Sequence, residues 1–188
     1  MKGLYINGLS IKTINIDLLR SKIGAVFQRS NIYSVTVQDN LSLYDDINSD
    51  NMNQIITVLD MKDKIAEEDI NRYFTKEFDD NGIVLSKGEE QKIALGRILS
   101  NEFGLILLDE PSSSLDPLAE KKMLNLLNEK CQNATRIMIA HRLSTIRDAD
   151  VIYVFDNGSI IEKGTHDQLM AKEGKYYQMF TAQASDYK

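Results

Sequence analysis

The sequence predicts an α/β domain in which helices flank a mostly parallel β-sheet. Short apolar runs of the kind that form buried strands alternate with longer segments whose apolar residues recur at helical intervals. Polar side chains directly follow three of the predicted strands, which is typical of a parallel sheet with a ligand site at its edge. The 188 residues suffice for one domain with a substantial buried core, and they contain no internal repeat.

The composition argues against several classes of protein. A net charge of -6 at pH 7 is unfavourable for a protein that coats nucleic acid. Cys131 is the only cysteine, so no intrachain disulfide is possible, and with His141 and His166 it has no zinc-site spacing. The apolar runs are far shorter than the roughly 20 residues of a membrane-spanning helix. No signal peptide follows Met1, so we expect the product to stay in the cytosol.

The first part of the chain is predicted to contain short strands and amphipathic helices. Apolar residues of the second helical segment recur at helical spacing, with polar residues on the other face. The predicted elements are strands at residues 3–6 and 23–27, one helical turn at 17–20, and helices at 36–43 and 51–59.

The middle of the chain is predicted to contain one capped helix and one buried strand. Residues 62–81 are dense in charge and are predicted to form helices and then a loop. A helix at residues 89–100 follows, and Ser86 with Glu89 has the spacing of a capping box. The continuous apolar run at residues 105–108 favours a strand covered on both faces, as in a parallel sheet.

The last part of the chain alternates between predicted helices and strands. Asp116-Pro117 is typical of an N-cap followed by the first helical residue, and the helix is expected to reach Lys130 with Leu118, Leu124 and Leu127 facing inward. Asn157-Gly158 is a strong hairpin signal. The other predicted elements are a strand at residues 136–140, a helical link at 146–148, hairpin strands at 151–155 and 159–162, and helices from residue 167 onward.

Polar residues at three strand ends are the candidate functional residues. They are Gln28, the pair Asp109 and Glu110, and His141, and they converge if the sheet is parallel. Two adjacent carboxylates suit a magnesium site in which one holds the ion and the other polarises a water molecule. An imidazole such as that of His141 can bridge a phosphate oxygen and a carboxylate.

Each of these features also has a purely structural interpretation. Asp109-Glu110 followed by proline equally fits a polar turn that closes a buried strand, and a histidine at a strand end is commonly structural. The segment Ser86-Lys87-Gly88-Glu89 can bind phosphate through backbone N–H groups at a helix N-terminus, or it can simply cap the helix.

Five motifs occur in a fixed order along nearly the whole chain. They are Gln28 after Val26-Phe27, the segment Leu85 to Glu89, the strand with Asp109-Glu110, Ser113 to Asp116, and Ile139 to Thr145. This order resembles the Q-loop, LSGGQ signature, Walker B, D-loop and switch-histidine segment of ATP-binding-cassette (ABC) transporters. The segments at residues 156–158 and 164–166 are similar to those that follow the histidine in exporters.

The resemblance implies an ABC ATPase fold of the P-loop NTPase type and a set of residue roles. Asp109 is expected to hold Mg²⁺ together with Gln28, which also contacts the membrane domain. Glu110 is expected to act as the catalytic base and His141 to sense the γ-phosphate of ATP. Asp116 is expected to lie at the seam of a dimer.

The resemblance also implies partners and a location. Ser86, Lys87, Gly88 and Glu89 are expected to contact the nucleotide of a second nucleotide-binding domain, in a homodimer or heterodimer. Transmembrane domains of an exporter are the other expected partner, with no nucleic acid, on the cytoplasmic side of the cell membrane. Residues 1–188 are then a partial nucleotide-binding domain, with a helical subdomain at about 36–100 and a C-terminal hairpin and helices at about 150–188.

The sequence departs from the family pattern in two ways. Lys87 replaces a glycine of the signature, and Glu89 replaces its glutamine. The 188 residues also contain no GxxxxGK[ST] Walker A motif, since Gly174-Lys175 is followed by Tyr176. We therefore expect the N-terminal strands and Walker A helix to be missing, apolar surface to be exposed, and the chain alone to hydrolyse little ATP. The alternative is a non-catalytic module that lends its signature to a partner.

Overall fold

The computed structural model of the chain describes residues 4–28, 31–43 and 46–185. The fold divides into two compact units, Met1–Ile137 and Met138–Lys188. None of the helices in the three described ranges combines the length and the apolar character that crossing a bilayer requires.

The first unit begins with a hairpin that was not predicted from the sequence. Strand β1 (Tyr5–Ile6) pairs antiparallel with β2 (Leu9–Ser10). The turn residues Asn7 and Gly8 both have positive φ, 49° and 79°, as a type I′ Asn-Gly turn requires. The strand predicted at residues 3–6 is therefore correct only for its second half, and its first residue lies outside the described ranges.

A three-stranded sheet forms the centre of the first unit. Its strands, in spatial order, are β3 (Ile23–Val26), β4 (Leu105–Asp109) and β5 (Thr135–Ile139). β3 and β4 run parallel with Val26 opposite Leu108, which confirms the predicted parallel arrangement for this pair. The boundary between the two units falls within β5. Helix α1 spans Ile16–Ser21 and leads into β3.

The two faces of the sheet differ in burial. Ile106 and Leu108 of β4 are buried, whereas Leu105 and Leu107, on the opposite face, are only half-buried. The sequence predicts a strand covered on both faces, whereas the described residues bury one face of β4 and cover the other only in part. Ile137 and Ile139 of β5 are exposed, and Phe27, which follows β3, is 64% exposed.

Three α-helices follow β3 in the first unit. They are α2 (Val37–Leu41), α3 (Ser49–Val58) and α4 (Lys87–Leu99). Each begins after a residue whose side chain accepts a hydrogen bond from a backbone N–H of the first turn: Thr36, Asn48 and Ser86.

The charged stretch between α3 and α4 differs from the prediction of helices and a loop. Its helical part is a 3₁₀ helix at Glu67–Asn71, and no α-helix lies among residues 62–81, all of which are described. Isolated bridges join Thr36 to Tyr73 and Phe74 to Ile83. The stretch lacks an apolar stripe that would bury a longer helix, so it forms irregular structure instead.

Helix α4 packs between the sheet and the other helices of the first unit. Its residues Ile93, Leu95 and Ile98 are buried. The sheet comes close to it because Gly24 of β3 has no side chain: a Cβ there would lie 2.7 Å from Ile98 Cδ1 and from the ring of Phe103. This close approach fixes β3 against α4.

Helix α5 (Pro117–Lys130) begins at the predicted N-cap, Asp116. Its buried positions include Met123 and Leu127, but Leu118 is 66% exposed, so the prediction that Leu118 faces inward was wrong. At about 100° per residue, nine positions place Leu118 on the side of the helix opposite Leu127.

The second unit contains a hairpin packed against helices. Leu169 and Tyr176 are among its buried core residues, and Phe180 packs against them. Asn157 and Gly158 have φ values of 47° and 76°, which confirms the predicted Asn-Gly turn. The elements are a 3₁₀ helix (Leu143–Ile146), strands β6 (Ile152–Asp156) and β7 (Ser159–Gly164), and helices α6 (His166–Ala171) and α7 (Lys175–Ser185).

Replacement of Gly24 by valine tests the close approach of β3 to α4. We expect Gly24→Val to lower the free energy of unfolding by about 1–3 kcal/mol, because Ile98 and Phe103 must move to admit the side chain. Gly104→Ala is the matched control, since a Cβ at that position has no neighbour closer than 3.9 Å. Denaturant unfolding measures both changes, and equal stabilities of the two variants would contradict this packing.

Candidate functional site

The candidate site begins with a hydrogen bond between two strand ends. Gln28 Nε2 donates to Glu110 Oε2 over 2.8 Å. Each of these residues lies two positions beyond a paired strand residue, Val26 or Leu108. The parallel register of β3 and β4 therefore brings together two of the three predicted strand-end positions.

Glu110 has a backbone conformation that is unusual for a residue with a side chain. Its φ is 46°, in the left-handed region that favours glycine. This conformation follows directly after Asp109, the last residue of β4, and turns the chain sharply at the strand end. Such conformations carry a small energetic cost and occur often at functional sites.

The N-terminus of α4 carries the predicted capping box. The Ser86 N–H donates to Glu89 Oε2 over 2.6 Å, and the Glu89 N–H donates to Ser86 Oγ over 3.3 Å. Lys87, which takes the place of a signature glycine, is exposed and forms an ion pair with Glu90 at 2.8 Å. Its ammonium group is thus held on the surface of the helix that bears it.

The pKa of Glu89 is lower than usual. Partial burial raises this pKa, but the hydrogen bonds from the backbone and side chain of Ser86, together with the ammonium groups of Lys64 and Lys92, outweigh burial. The ionised carboxylate is therefore the form that the helix N-terminus stabilises.

Gln91 connects α4 to the loop that follows Glu110. This side chain is only 3% exposed; its Nε2 donates to Ser113 Oγ over 2.9 Å, and its Oε1 accepts from the Ser114 N–H over 3.0 Å. Gly88, one turn earlier, approaches the same loop, since a Cβ there would lie 3.1 Å from the Ser114 carbonyl oxygen. The predicted signature and D-loop segments are therefore in direct contact within one chain.

The same loop is also attached to α5, through Ser112 and Asp116. Ser112 Oγ donates to Glu120 Oε1 over 2.5 Å, and both residues are buried. Asp116 Oδ1 accepts from the N–H groups of Leu118 and Ala119 at the start of α5. The pKa of Asp116 is lowered, first by the hydrogen bond from Ala119.

His141 lies in the second unit, where its backbone is held by one side chain of α7. Gln183 Nε2 donates to the His141 carbonyl oxygen over 2.7 Å, and Gln183 Oε1 accepts from the Leu143 N–H over 2.9 Å. The His141 side chain is exposed. The segment around the predicted γ-phosphate sensor therefore has a defined backbone.

The residues at the ends of β3 and β4 fit a sparsely coordinated magnesium ion. Asp109, Glu110 and Gln28 supply carboxylate and amide oxygens, the ligand types that Mg²⁺ prefers. No group of three or more histidine, cysteine or acidic side chains that could hold a metal occurs in the described ranges. A site of this kind suits an ion that shares its coordination with substrate phosphates and water.

A cavity of about 170 Å³ in the first unit lies away from these residues. It opens between α3, α4 and α5, and its lining includes Leu59, Leu95 and Met123. Of the predicted site residues only Asp116 lines this cavity.

Comparison with known proteins decides the family. A profile of the ABC transporter family matches residues 2–113, well over half of the chain. The chain belongs to the ABC transporter family. This assignment confirms the resemblance inferred from the five ordered motifs, and the α/β fold with its parallel strands agrees with it.

Proteins similar to this ABC chain include a multidrug transporter, a multidrug resistance protein and an exporter. "ABC multidrug transporter MDR2" of Trichophyton rubrum is 36% identical over 185 residues, 97% of this chain and 14% of the relative. "Multidrug resistance protein pgp-1" of Caenorhabditis elegans is 37% identical over 98% of this chain and 14% of its own length. A solved bacterial Atm1-family ABC exporter with ATP bound has a TM-score of 0.85 and 31% identity, covering 96% of this chain and 32% of that one. The chain thus spans about one seventh of these curated relatives.

Two residues that organise the site were missed in the sequence. Gln91 and Gln183 hold loops through paired side-chain hydrogen bonds, but neither belongs to a motif that the sequence analysis used. Gln91 stands two residues before Ile93, at the start of the apolar part of the helix, where an uncharged polar residue indicates a buried hydrogen-bond partner.

The capping box of the signature helix predicts a specific pH dependence. Glu89→Gln keeps a side-chain oxygen for the Ser86 N–H but removes the charge, so we expect it to lower the free energy of unfolding by less than about 1 kcal/mol near neutral pH. The pKa of Glu89 is depressed in the folded state. The stabilisation that its charge gives the folded state is therefore present above the usual pKa of 4.5 and is lost as the pH falls below that value.

Urea unfolding of both proteins across this pH range measures the difference. The two stabilities should converge in acid. A difference that stays constant well below the usual pKa would show that the charge of Glu89 has no part in the cap.

Proposed function

We propose that the chain forms the larger part of the nucleotide-binding domain of an ABC exporter, whose hydrolysis of ATP drives transport across a membrane. The observation that carries this proposal is the hydrogen bond between Gln28 and Glu110 at the ends of paired parallel strands. It joins the predicted Q-loop residue to the predicted catalytic base. The ATP in the similar Atm1-family exporter structure supports the choice of nucleotide.

In this proposal the residues at the ends of β3 and β4 divide the catalytic tasks. Glu110 accepts a proton from the water that attacks the γ-phosphate, and Gln28 holds the Glu110 carboxylate in place through its amide N–H. Asp109 and Gln28 hold Mg²⁺. The ion supplies electrostatic stabilisation of the charge that develops on the transferred phosphoryl group.

His141 is proposed to contact the γ-phosphate. Gln183 binds the backbone directly after the His141 side chain, at the His141 carbonyl oxygen and the Leu143 N–H, which supports a positioned role for the imidazole. Because imidazole can donate or accept a proton near neutral pH, it can bond a phosphate oxygen and respond to its loss.

A second nucleotide-binding domain is the proposed partner at the signature. The N-terminus of α4, with Ser86, Lys87, Gly88 and Glu89, presents N–H groups and a hydroxyl that suit the phosphates held by that second domain. Asp116 lies at the end of the loop that Gln91 binds to α4. A dimer interface that includes Asp116 would therefore lie next to the signature segment.

We place the domain on the cytoplasmic side of a membrane, attached to the transmembrane domains of the exporter, and assign it no nucleic acid partner. The helical subdomain is proposed to comprise about residues 36–100, and residues 150–188 to form the C-terminal hairpin and helices of the 1–188 domain. The similarity to the multidrug transporter of Trichophyton rubrum and the multidrug resistance protein of Caenorhabditis elegans supports an export function.

A second candidate is a non-catalytic module that completes the ATP site of a partner. The exposed N-terminus of α4 with its Ser86 hydroxyl supports it, because such a helix start can bind the phosphates of a nucleotide that a partner holds. Under this alternative the gene product hydrolyses no ATP itself but raises the ATPase rate of its partner.

The variant Glu110→Gln tests catalysis by this chain. We expect it to lower the magnesium-dependent ATPase rate of the complete gene product by about 10²- to 10⁴-fold, because the amide cannot take a proton from the attacking water. Phosphate release in membrane vesicles measures the rate. Glu102→Gln, at an exposed residue before β4, is the control and should keep the rate of the unaltered protein.

The two candidate functions give different results in this assay. An unaltered protein that hydrolyses ATP at a rate unaffected by Glu110→Gln would exclude the proposed role of Glu110. An inactive protein that stimulates a partner through Ser86 would favour the non-catalytic module.

A further inference from the structure

We propose that Arg97 and Asn40 are positioning residues that favour the contact of Gln28 with Glu110 by binding Asn31 and residues 33–36 to helices α4 and α2. The functional role of Gln28 rests on the proposed function, whereas the anchoring itself is independent of any nucleotide.

Arg97 is a buried cation in the apolar half of α4. It is 7% exposed, and it follows the buried residues Leu95 and Gly96. A guanidinium group in such a place requires hydrogen-bond partners, because desolvation of an unpaired charge is costly. The partners of this group reveal what the residue does.

The Arg97 guanidinium binds backbone and side-chain oxygens of the segment that follows Gln28. Nη1 donates to the Asn31 carbonyl oxygen over 2.8 Å, Nε donates to the Asn40 carbonyl oxygen over 2.8 Å, and Nη2 donates to Asn40 Oδ1 over 2.7 Å. Asn31 stands only three residues after Gln28. The rigid fork of arginine can hold these three oxygens at fixed positions, which lysine cannot do.

Asn40 extends the same anchor to the rest of the segment. This residue is fully buried in α2, and its Nδ2 lies within hydrogen-bond distance of the carbonyl oxygens of Tyr33, Val35 and Thr36. Its Oδ1 also accepts from the Tyr33 N–H over 3.1 Å. Arg97 lies over the Tyr33 ring, 5.4 Å from the centroid. Residues 33–36 are thus bound to the buried side of α2 and α4.

Gln28 is therefore held from both directions along the chain. On its N-terminal side, Val26 is paired with Leu108 of β4, the strand that leads to Glu110. On its C-terminal side, Asn31 is bound by Arg97. These two bound residues lie within three positions of Gln28, so they limit where its side chain can lie and favour the 2.8 Å bond to Glu110.

The Gln28 side-chain amide provides a direct readout in the ¹H–¹⁵N spectrum of the labelled chain. Gln28→Ala identifies its signal by loss, and Glu110→Ala gives the position of the amide without its acceptor. We expect Arg97→Lys to move the signal at least half of the way to that reference, because lysine keeps the charge but not the fork. Asn40→Asp keeps oxygens for Arg97 but loses the donor to residues 33–36, and we expect a smaller shift in the same direction.

A control variant separates positioning from general loss of stability. Leu127→Ala removes a buried side chain of α5 that is remote in sequence from both anchors, and it should leave the Gln28 signal in place. If Arg97→Lys does not fold, Asn40→Asp decides the question. An unchanged Gln28 signal in the folded anchor variants, or an equal shift in Leu127→Ala, would overturn the proposal.

Kinetics of the complete gene product provide a second arm. If Arg97 acts through Gln28, the double variant Gln28→Ala with Arg97→Lys should have the same kcat as Gln28→Ala alone. A further decrease in the double variant would mean that Arg97 acts by another route. An inactive gene product would overturn the proposed ATPase function. The Gln28 amide signal would still show whether Arg97 and Asn40 position Gln28.

Discussion

The parallel register between β3 and β4 is the constraint on which the candidate site depends. With Val26 opposite Leu108, the residues two positions further along each strand are Gln28 and Glu110, and they meet at 2.8 Å. A shift of one residue in this register would exchange the faces of the strand and separate the two side chains. The glycine at position 24 helps to secure the register, because it allows β3 to pack directly on Ile98 and Phe103.

Helix α4 fixes the loops around this pair of strands. Its first turn carries the capping box, Gln91 binds the loop after Glu110, and Arg97 binds the segment after Gln28. Buried polar side chains of this kind contribute modestly to stability when fully bonded, but each is costly to leave without a partner. They therefore specify one arrangement of the loops around an otherwise apolar helix.

The sequence predicted the features that depend on local interactions. The caps at Ser86 and Asp116 and the Asn157-Gly158 turn involve residues close together in the chain, and all three are confirmed. The anchor between Arg97 and Asn40 joins positions 57 residues apart, so no local pattern predicts it. The exposure of Leu118 and the half-burial of Leu107 likewise depend on what the rest of the fold covers.

A structure of the complete gene product with magnesium and a non-hydrolysable ATP analogue tests the central claim most directly. The account predicts that Asp109 and Gln28 contact the metal or its water ligands, and that Glu110 faces the γ-phosphate with the β3–β4 register unchanged. Binding of the nucleotide with Asp109, Gln28 and Glu110 remote from the metal and the γ-phosphate would contradict it.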